Sequence, residues 1–352
     1  MEGTIFIGAA SPLAGPDVAN TCGVYRLDAN TTEWHQLTNG LPSNMQVNVI
    51  VGRPGNAREL YAGSQVGLFK TTDGGDSWTD LRVSMEDRAI YSLLLHPTEP
   101  DTIYVGMDHT VIFKTIDGGV SWTRLPTIQP DCSITGGFPV RVLRMALDPV
   151  NPDEIYAALE VAGLIRSLDG GASWEDMSGE FVRLSKEPHL ANHIISEDDA
   201  EGMLDMHALT VSDAKPGTIW AVNRMGLFIS EDKAKTWREF GIEHYSELTY
   251  GRDIIPSPHD SKTFYAALSD SARGQAGSLY RSADLGKSWD RIDHDISIDS
   301  TLMTVNVNDA NPDRVYCAAR LGQVFGTEDG GTSWNEAPLP EGVVDVRAIV
   351  ST

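Results

Sequence analysis

Apolar residues in this chain come in short runs broken by polar turns, and the runs recur in a fixed order. A first run ends in a polar turn: VNVIVGRP (47–54), YSLLLHP (91–97), VLRMALDP (142–149) and ALTVSD (208–213). A second, shorter run carries an aromatic residue: ELYAGS (59–64), TIYVGM (102–107), EIYAAL (154–159), TIWAVN (218–223), TFYAAL (263–268) and RVYCAA (314–319). A third, such as GLFKTTD (67–73), leads into a glycine-rich turn, and a fourth leaves that turn from a tryptophan. Runs this short, rich in β-branched and aromatic residues and separated by turn signals, read as strands. Four such strands in each unit make the blade of a propeller.

The tryptophans set the period. Trp34, Trp78, Trp122, Trp174, Trp237, Trp289 and Trp334 lie 44, 44, 52, 63, 52 and 45 positions apart. Five of them close one octet: TTDGGDSW (71–78), TIDGGVSW (115–122), SLDGGASW (167–174), SADLGKSW (282–289) and TEDGGTSW (327–334). SEDKAKTW (230–237) has lost both glycines, and RLDANTTEW (26–34) carries one extra residue. An Asp that accepts backbone N–H bonds, glycines at positive φ and a Ser or Thr hydroxyl form a tight connection between two antiparallel strands, beside which the Trp buries its ring. Seven units predict an all-β, seven-bladed β-propeller of four-stranded antiparallel blades in a single domain, 1–352. TIFIGAA (4–10) begins directly with a second-strand pattern, and VVDVRAIVS (343–351) is an innermost-strand pattern without a blade of its own. Blade one is therefore expected to combine a C-terminal innermost strand with three N-terminal outer strands, leaving the ring no open edge.

The octet resembles the Asp box, or BNR repeat, of sialidase-type propellers, which is also found in sortilin-like receptors, xyloglucanases and photosystem assembly factors. The resemblance covers nearly the whole chain for fold and implies that the boxes lie on the blade periphery, away from any active site. Sialidases pair their boxes with six blades, an arginine triad and an N-terminal FRIP-type motif. This chain has seven units, and GFPVRV (137–142) is not that motif. Xyloglucanases form their cleft between two propellers, whereas this sequence encodes one.

Composition narrows the function classes. The formal net charge is −23, which disfavours nucleic acid and anionic membrane surfaces as partners. Cys22, Cys132 and Cys317 are few, scattered and odd in number, which argues against a disulfide framework. The first residues lack a basic n-region, and no segment is long and apolar enough to span a membrane, so a cytoplasmic location is expected. No nucleotide cofactor is expected, and oligomeric state is not legible.

In such a ring the fourth-to-first and second-to-third strand connections crowd one mouth of the central channel, and functional residues are sought there. The longest insertion, 178–204 between blades four and five, reads as a mouth-side lid. His189 and His193 in it stand four apart, a spacing that on a helix opening near Pro188 would put both rings on one face. With His109 and His207 they match the ligand count of a zinc, iron or manganese centre. Arg88, Arg141, Arg252 and Arg347 fall near the starts of innermost strands, and Arg224 and Arg320 in inner connections, so together they can grip an anionic substrate. The opposing expectation is that each pairs with a nearby Asp, Asp87, Asp253 and Asp345 being adjacent in sequence. Glu160 and Asp205 are the candidate proton shuttles.

Three readings follow. The first is a hydrolase or lyase, assisted by a divalent metal, acting on a small polar or anionic substrate. The second is a glycosidase with paired carboxylates drawn from Asp205, Asp253 and Glu160. The third is a non-catalytic binding or assembly scaffold.

Overall fold

The computed structural model describes residues 1–10, 21–86, 88–134 and 137–352. Their strands form seven sheets of four strands each. The innermost strands are Val47–Arg53, Ile90–Leu95, Val142–Leu147, Met206–Val211, Tyr250–Pro256, Leu302–Val307 and Val346–Ser351. Each neighbours the next, and the last returns to the first, so the ring is closed. Closure runs as the sequence predicts: Val346–Ser351 pairs antiparallel with Ile5–Ala9, which pairs with Gly23–Leu27 and then Trp34–Leu37.

The second strands of most blades are buried along their whole length, for example Ile103–Met107 and Val315–Ala319, whereas Asn56–Ser64 begins exposed and is buried from Leu60 onward. Both faces of a blade pack against neighbouring blades, which explains why these segments read as continuous apolar runs. Where innermost strands converge, small residues are required: a Cβ on Gly106 would stand 2.7 Å from Val142 Cγ1 and 2.3 Å from Ser92 Oγ.

The box turns connect third and fourth strands through one repeated hydrogen-bond set. Asp73 accepts from Thr71 Oγ1 at 2.7 Å and the Ser77 amide at 3.0 Å, and Thr71 Oγ1 accepts from the Gly75 amide at 2.9 Å. The box that lost both glycines keeps the pattern, with Asp232 accepting from Ser230 Oγ and the Thr236 amide, both at 2.9 Å.

The 178–204 insertion forms two short helices, Gly179–Leu184 and Glu201–Leu204. It is pinned rather than loosely draped: Phe181, Leu184, Leu190, Met203 and Leu204 are buried with Trp237 and Phe228 in the core between blades four and five. Phe181 lies 4.9 Å, centroid to centroid, from Trp237. Glu201 is fully buried and accepts from the amides of Ile194 and Ile195. The segment from 186 to 200 is not helical, so His189 and His193 do not share a helix face. Pro188 opens no helix because the chain is held here by buried side chains and by Glu201, not by local propensity.

Candidate functional site

Near one mouth, every innermost strand slips register by one residue against its neighbour. The unpaired residues are Asn48, Tyr91, Leu143, His207, Arg252, Met303 and Arg347, one from each blade, and all seven line the central channel. A bulge re-aims a side chain that regular pleating would place elsewhere. The fold thereby builds a ring of seven side chains at one depth. The residue before each is buried: Val47, Ile90, Val142, Met206, Gly251, Leu302 and Val346. The channel encloses a cavity of about 770 Å³, ample for an oligosaccharide fragment or a small ligand.

On the side formed by blades four to six, the ring meets a buried polar network. Arg224 Nε donates to Asp205 Oδ2 at 3.1 Å, and His207 Nε2 lies 3.2 Å from the same oxygen and 3.2 Å from the Tyr250 hydroxyl. His207 Nδ1 faces the Gly251 carbonyl at 2.6 Å and so carries a proton. Arg141 Nη1 donates to Glu160 Oε2 at 2.9 Å while its guanidinium lies over Tyr91 and Phe138. Arg224 lies over Tyr250 in the same manner.

The two carboxyl groups of this network are driven in opposite directions. Burial raises the pKa of Glu160, and the Asp205 charge adds to the effect, outweighing Arg141, Arg252 and His207. Burial also opposes ionisation of Asp205, but His207, then Arg224 and Arg252, overcome it and hold that carboxyl below the usual range. Burial pushes the Tyr250 phenol up to about 12, which keeps it protonated at neutral pH. Two buried acids on adjacent blades are thus driven toward different protonation behaviour by their surroundings.

On the opposite side, blades seven, one and two present Arg320, Arg347, Asp345 and Asn48. Arg347 donates to Asp345 at 2.7 Å and to Asn48 Oδ1 at 2.6 Å. Arg320 lies 3.7 Å from Asp345 and donates to the Ala272 carbonyl at 2.6 Å. Asp345 thus serves both arginines. Asp253 turns from Arg252 to Arg144, on blade four, and accepts from the Val305 amide at 3.2 Å. It is fully engaged and is not presented as a free carboxylate. Arg88 lies outside this ring, 3.7 Å from Glu86, and Asp87 lies outside the described residues.

The histidines do not converge. His109 sits 3.1 Å from Asp108, His189 2.9 Å from Glu239, and His193 2.8 Å from Asp199, with side chains 56, 61 and 46% exposed. His207 is 2% exposed and belongs to the Asp205 network. Each has its own acidic neighbour, and among the described residues no group of three or more His, Cys, Asp or Glu is arranged to hold a metal ion. No residue of 178–204 lines the cavity, and the insertion is packed into the core beside the blade that carries Asp205 and His207. Tyr91, Tyr250, Asn48 and Arg144 were not singled out from sequence. The signal that finds Tyr91, Tyr250 and Asn48 is position, since they lie at the opening of innermost strands.

Comparison with known proteins bears on the fold first. No family model matches the chain. A 157-residue stretch is 27% identical to an oligoxyloglucan-reducing end-specific xyloglucanase of Emericella nidulans, covering 42% of this chain and 17% of that protein. Among solved structures, a GH74 enzyme of Niastella koreensis superposes with a TM-score of 0.63 at 17% identity, over 83% of this chain and 45% of its own. The GH74 xyloglucanase of Xanthomonas campestris gives 0.62 at 17%, over 82% and 45%. YCF48 of Cyanidioschyzon merolae gives 0.55 at 16% identity, over 89% of this chain and 90% of its own. A YCF48 structure bound to D1 peptide gives 0.54 at 15%, over 84 and 83%. The chain therefore spans a small part of the xyloglucanase it matches and under half of the GH74 enzymes, but nearly the whole of YCF48. At these identities the structural likenesses speak for the seven-bladed fold.

Proposed function

We propose that the chain is a hydrolase of glycosidic type, acting on a polar carbohydrate at the mouth of the channel with Glu160 as the acid. The observation that supports this reading is a cavity of about 770 Å³ whose wall carries Glu160 beside the His207 and Tyr250 of the Asp205 network, with burial raising the Glu160 pKa and neighbouring cations lowering that of Asp205. The sequence match to a xyloglucanase points to the same chemistry.

In this reading the Glu160 carboxyl, its pKa raised by burial, gives its proton to the oxygen of the breaking C–O bond while water attacks the sugar carbon, and the proton shed by that water passes to the resulting Glu160 carboxylate or to solvent. Asp205 stays ionised. Its depressed pKa makes it a weak base, so its main contribution is a negative charge that adds to the burial of Glu160 in raising that group's pKa and stabilises positive charge developing on the sugar. His207 and Arg224 hold Asp205 in place, and the Tyr250 hydroxyl, 3.2 Å from His207 Nε2, braces the imidazole.

Xyloglucan oligosaccharides and a panel of plant and microbial glycans are the substrates to test, with reducing ends as the readout and product analysis to separate hydrolysis from elimination. Glu160→Gln is expected to lower kcat by about 10²- to 10⁴-fold with the fold intact. A wild-type rate in that variant, or no turnover of any glycan by the parent chain, overturns the assignment. The divalent metal remains a separate proposal, measured by metal analysis of protein purified without an affinity tag.

A second reading, a binding scaffold, draws on the near-full-length likeness to YCF48. It predicts saturable peptide binding at the mouth without turnover of either peptide or glycan.

A further inference from the structure

We propose that the mouth receives a sugar bearing a carboxylate, and that the Arg252 guanidinium grips that acid group. Arg252 makes no hydrogen bond and no ion pair with any described residue, whereas Arg88, Arg141, Arg144, Arg224, Arg320 and Arg347 all have an acidic partner. Its sequence neighbour cannot serve it, because Asp253 is committed to Arg144 and the Val305 amide. Nor is the direction of its side chain incidental: Arg252 is the bulged residue of blade six, set into the channel between His207 and Met303 of the ring.

The surroundings favour an anion. In a chain of net charge −23, the channel lining carries six arginines, Arg53, Arg141, Arg144, Arg252, Arg320 and Arg347, against four carboxylates, Glu160, Asp253, Asp309 and Asp345. Five of these arginines are held by acids, Arg53 by Glu59 behind the wall, which leaves Arg252 as the lining guanidinium open to an incoming anion. A guanidinium offers a planar fork of donors matched to a carboxylate. Arg252 also lies close enough to Glu160 to act on its ionisation, so a ligand acid bound there sits beside the proposed proton donor.

The word sugar rests on the hydrolase reading; the carboxylate does not. Glucuronate and glucose have no bond for a glycosidase to cleave, so titrating each into the intact protein by NMR measures recognition apart from catalysis. Glucuronate is expected to bind about 10- to 100-fold more tightly than glucose, the range of a charge-assisted hydrogen-bonded contact. Arg252→Gln is expected to erase the difference while the ring stays folded, its melting temperature shifting by no more than about 3 °C as Asp205 loses one of its neighbouring cations, and Arg252→Lys to restore part of the difference. Equal affinity for the two sugars, or undiminished discrimination by Arg252→Gln, overturns the proposal. An acidic peptide that binds Arg252 more tightly than glucuronate overturns the sugar assignment in favour of the scaffold. Preference for glucuronate with no glycan cleaved sinks the hydrolase reading alone, and cleavage of neutral glycans without that preference sinks this one alone.

Discussion

The box carboxylates and the mouth carboxylates are the same functional group put to opposite use. At the periphery, Asp73, Asp117, Asp169, Asp232, Asp284 and Asp329 each accept a backbone amide and a hydroxyl from the residue four positions on. They sit at the surface, and these bonds draw their pKa values down, in Asp169 and Asp329 to about 2. Nothing in such a group is poised to react. At the mouth, burial raises the pKa of Glu160, while His207, Arg224 and Arg252 lower that of Asp205, so two buried acids on adjacent blades are driven in opposite directions. Repetition accompanies saturation of hydrogen-bonding capacity, and reactivity arises where the repeat gives way to residues particular to one blade.

The largest test acts where the two regions share a strand. Val346–Ser351 delivers Arg347 to the mouth and closes the ring against Ile5–Ala9. Deleting residues 343–352 exposes the apolar partners of Val343, Val346, Ile349 and Val350, all buried, at a cost of about 6 kcal/mol or more. That rivals the whole stability of many domains, so unfolding of the entire ring is expected by circular dichroism. Melting unchanged from the parent would mean that the blades stand independently and that the mouth needs no closure.

A smaller test uses pH to set the two kinds of carboxylate against each other. The folded-state pKa of a box Asp lies below its unfolded value, so its stabilisation is complete above about pH 4 and is lost as pH falls toward about 2. Glu160 has the opposite sign: its folded pKa is raised, so its contribution is complete below the ordinary Glu value and disappears as pH rises through the folded one. Melting curves across the acid range are expected to show Asp73→Asn falling by about 1–3 °C at neutral pH, with a shallower acid slope and unaltered turnover. Glu160→Gln is expected to flatten the slope on the alkaline side and to remove turnover. Equal effects of the two substitutions on stability and rate would erase the distinction.

How much of this was legible in the sequence follows from the same division. The blades, their order and the closing strand could be read because each is repeated, and a repeated pattern states its own period. Glu160, Asp205, His207 and the mouth arginines were legible as positions, through alignment of the units. Their pairings were not, because Asp253 reaches from blade six to Arg144 on blade four, a contact between residues 109 positions apart that no local pattern encodes. The histidine spacing misled for a related reason. Separation by four implies a shared face only on a helix, and tertiary anchoring by Phe181, Leu190 and Glu201 kept 186–200 non-helical. In Val47–Asn48, Met206–His207, Gly251–Arg252 and Val346–Arg347 the bulge shows in sequence as a small or apolar residue followed by a polar one, but Val142–Leu143 and Leu302–Met303 carry no such contrast, and only the structure shows that the second of each pair lines the channel.

The smallest test asks whether a box can lose its glycines without losing its turn. In the four Gly-Gly boxes the second glycine has φ of 93 to 97°, a conformation costly to other residues, whereas Lys233 and Ala234 sit at 64 and 66°, in the left-handed region that side chains tolerate at moderate cost. The degenerate box has therefore shifted its backbone instead of forcing side chains into glycine geometry. At Gly171 a Cβ would also stand 2.6 Å from Leu125 Cδ1, so Gly171→Ala is expected to lose about 1–3 kcal/mol in denaturant unfolding. Ala234→Gly relieves strain but gives up a buried methyl and restricts a freer unfolded chain, and these terms nearly cancel, to within about 1 kcal/mol. Equal losses at the two sites would mean that the hydrogen-bond set around Asp232, and not backbone geometry, decides which boxes tolerate decay. Neither substitution should alter the proposed turnover or glucuronate binding at the mouth, because the boxes lie on the blade periphery and contribute no residue to the cavity lining.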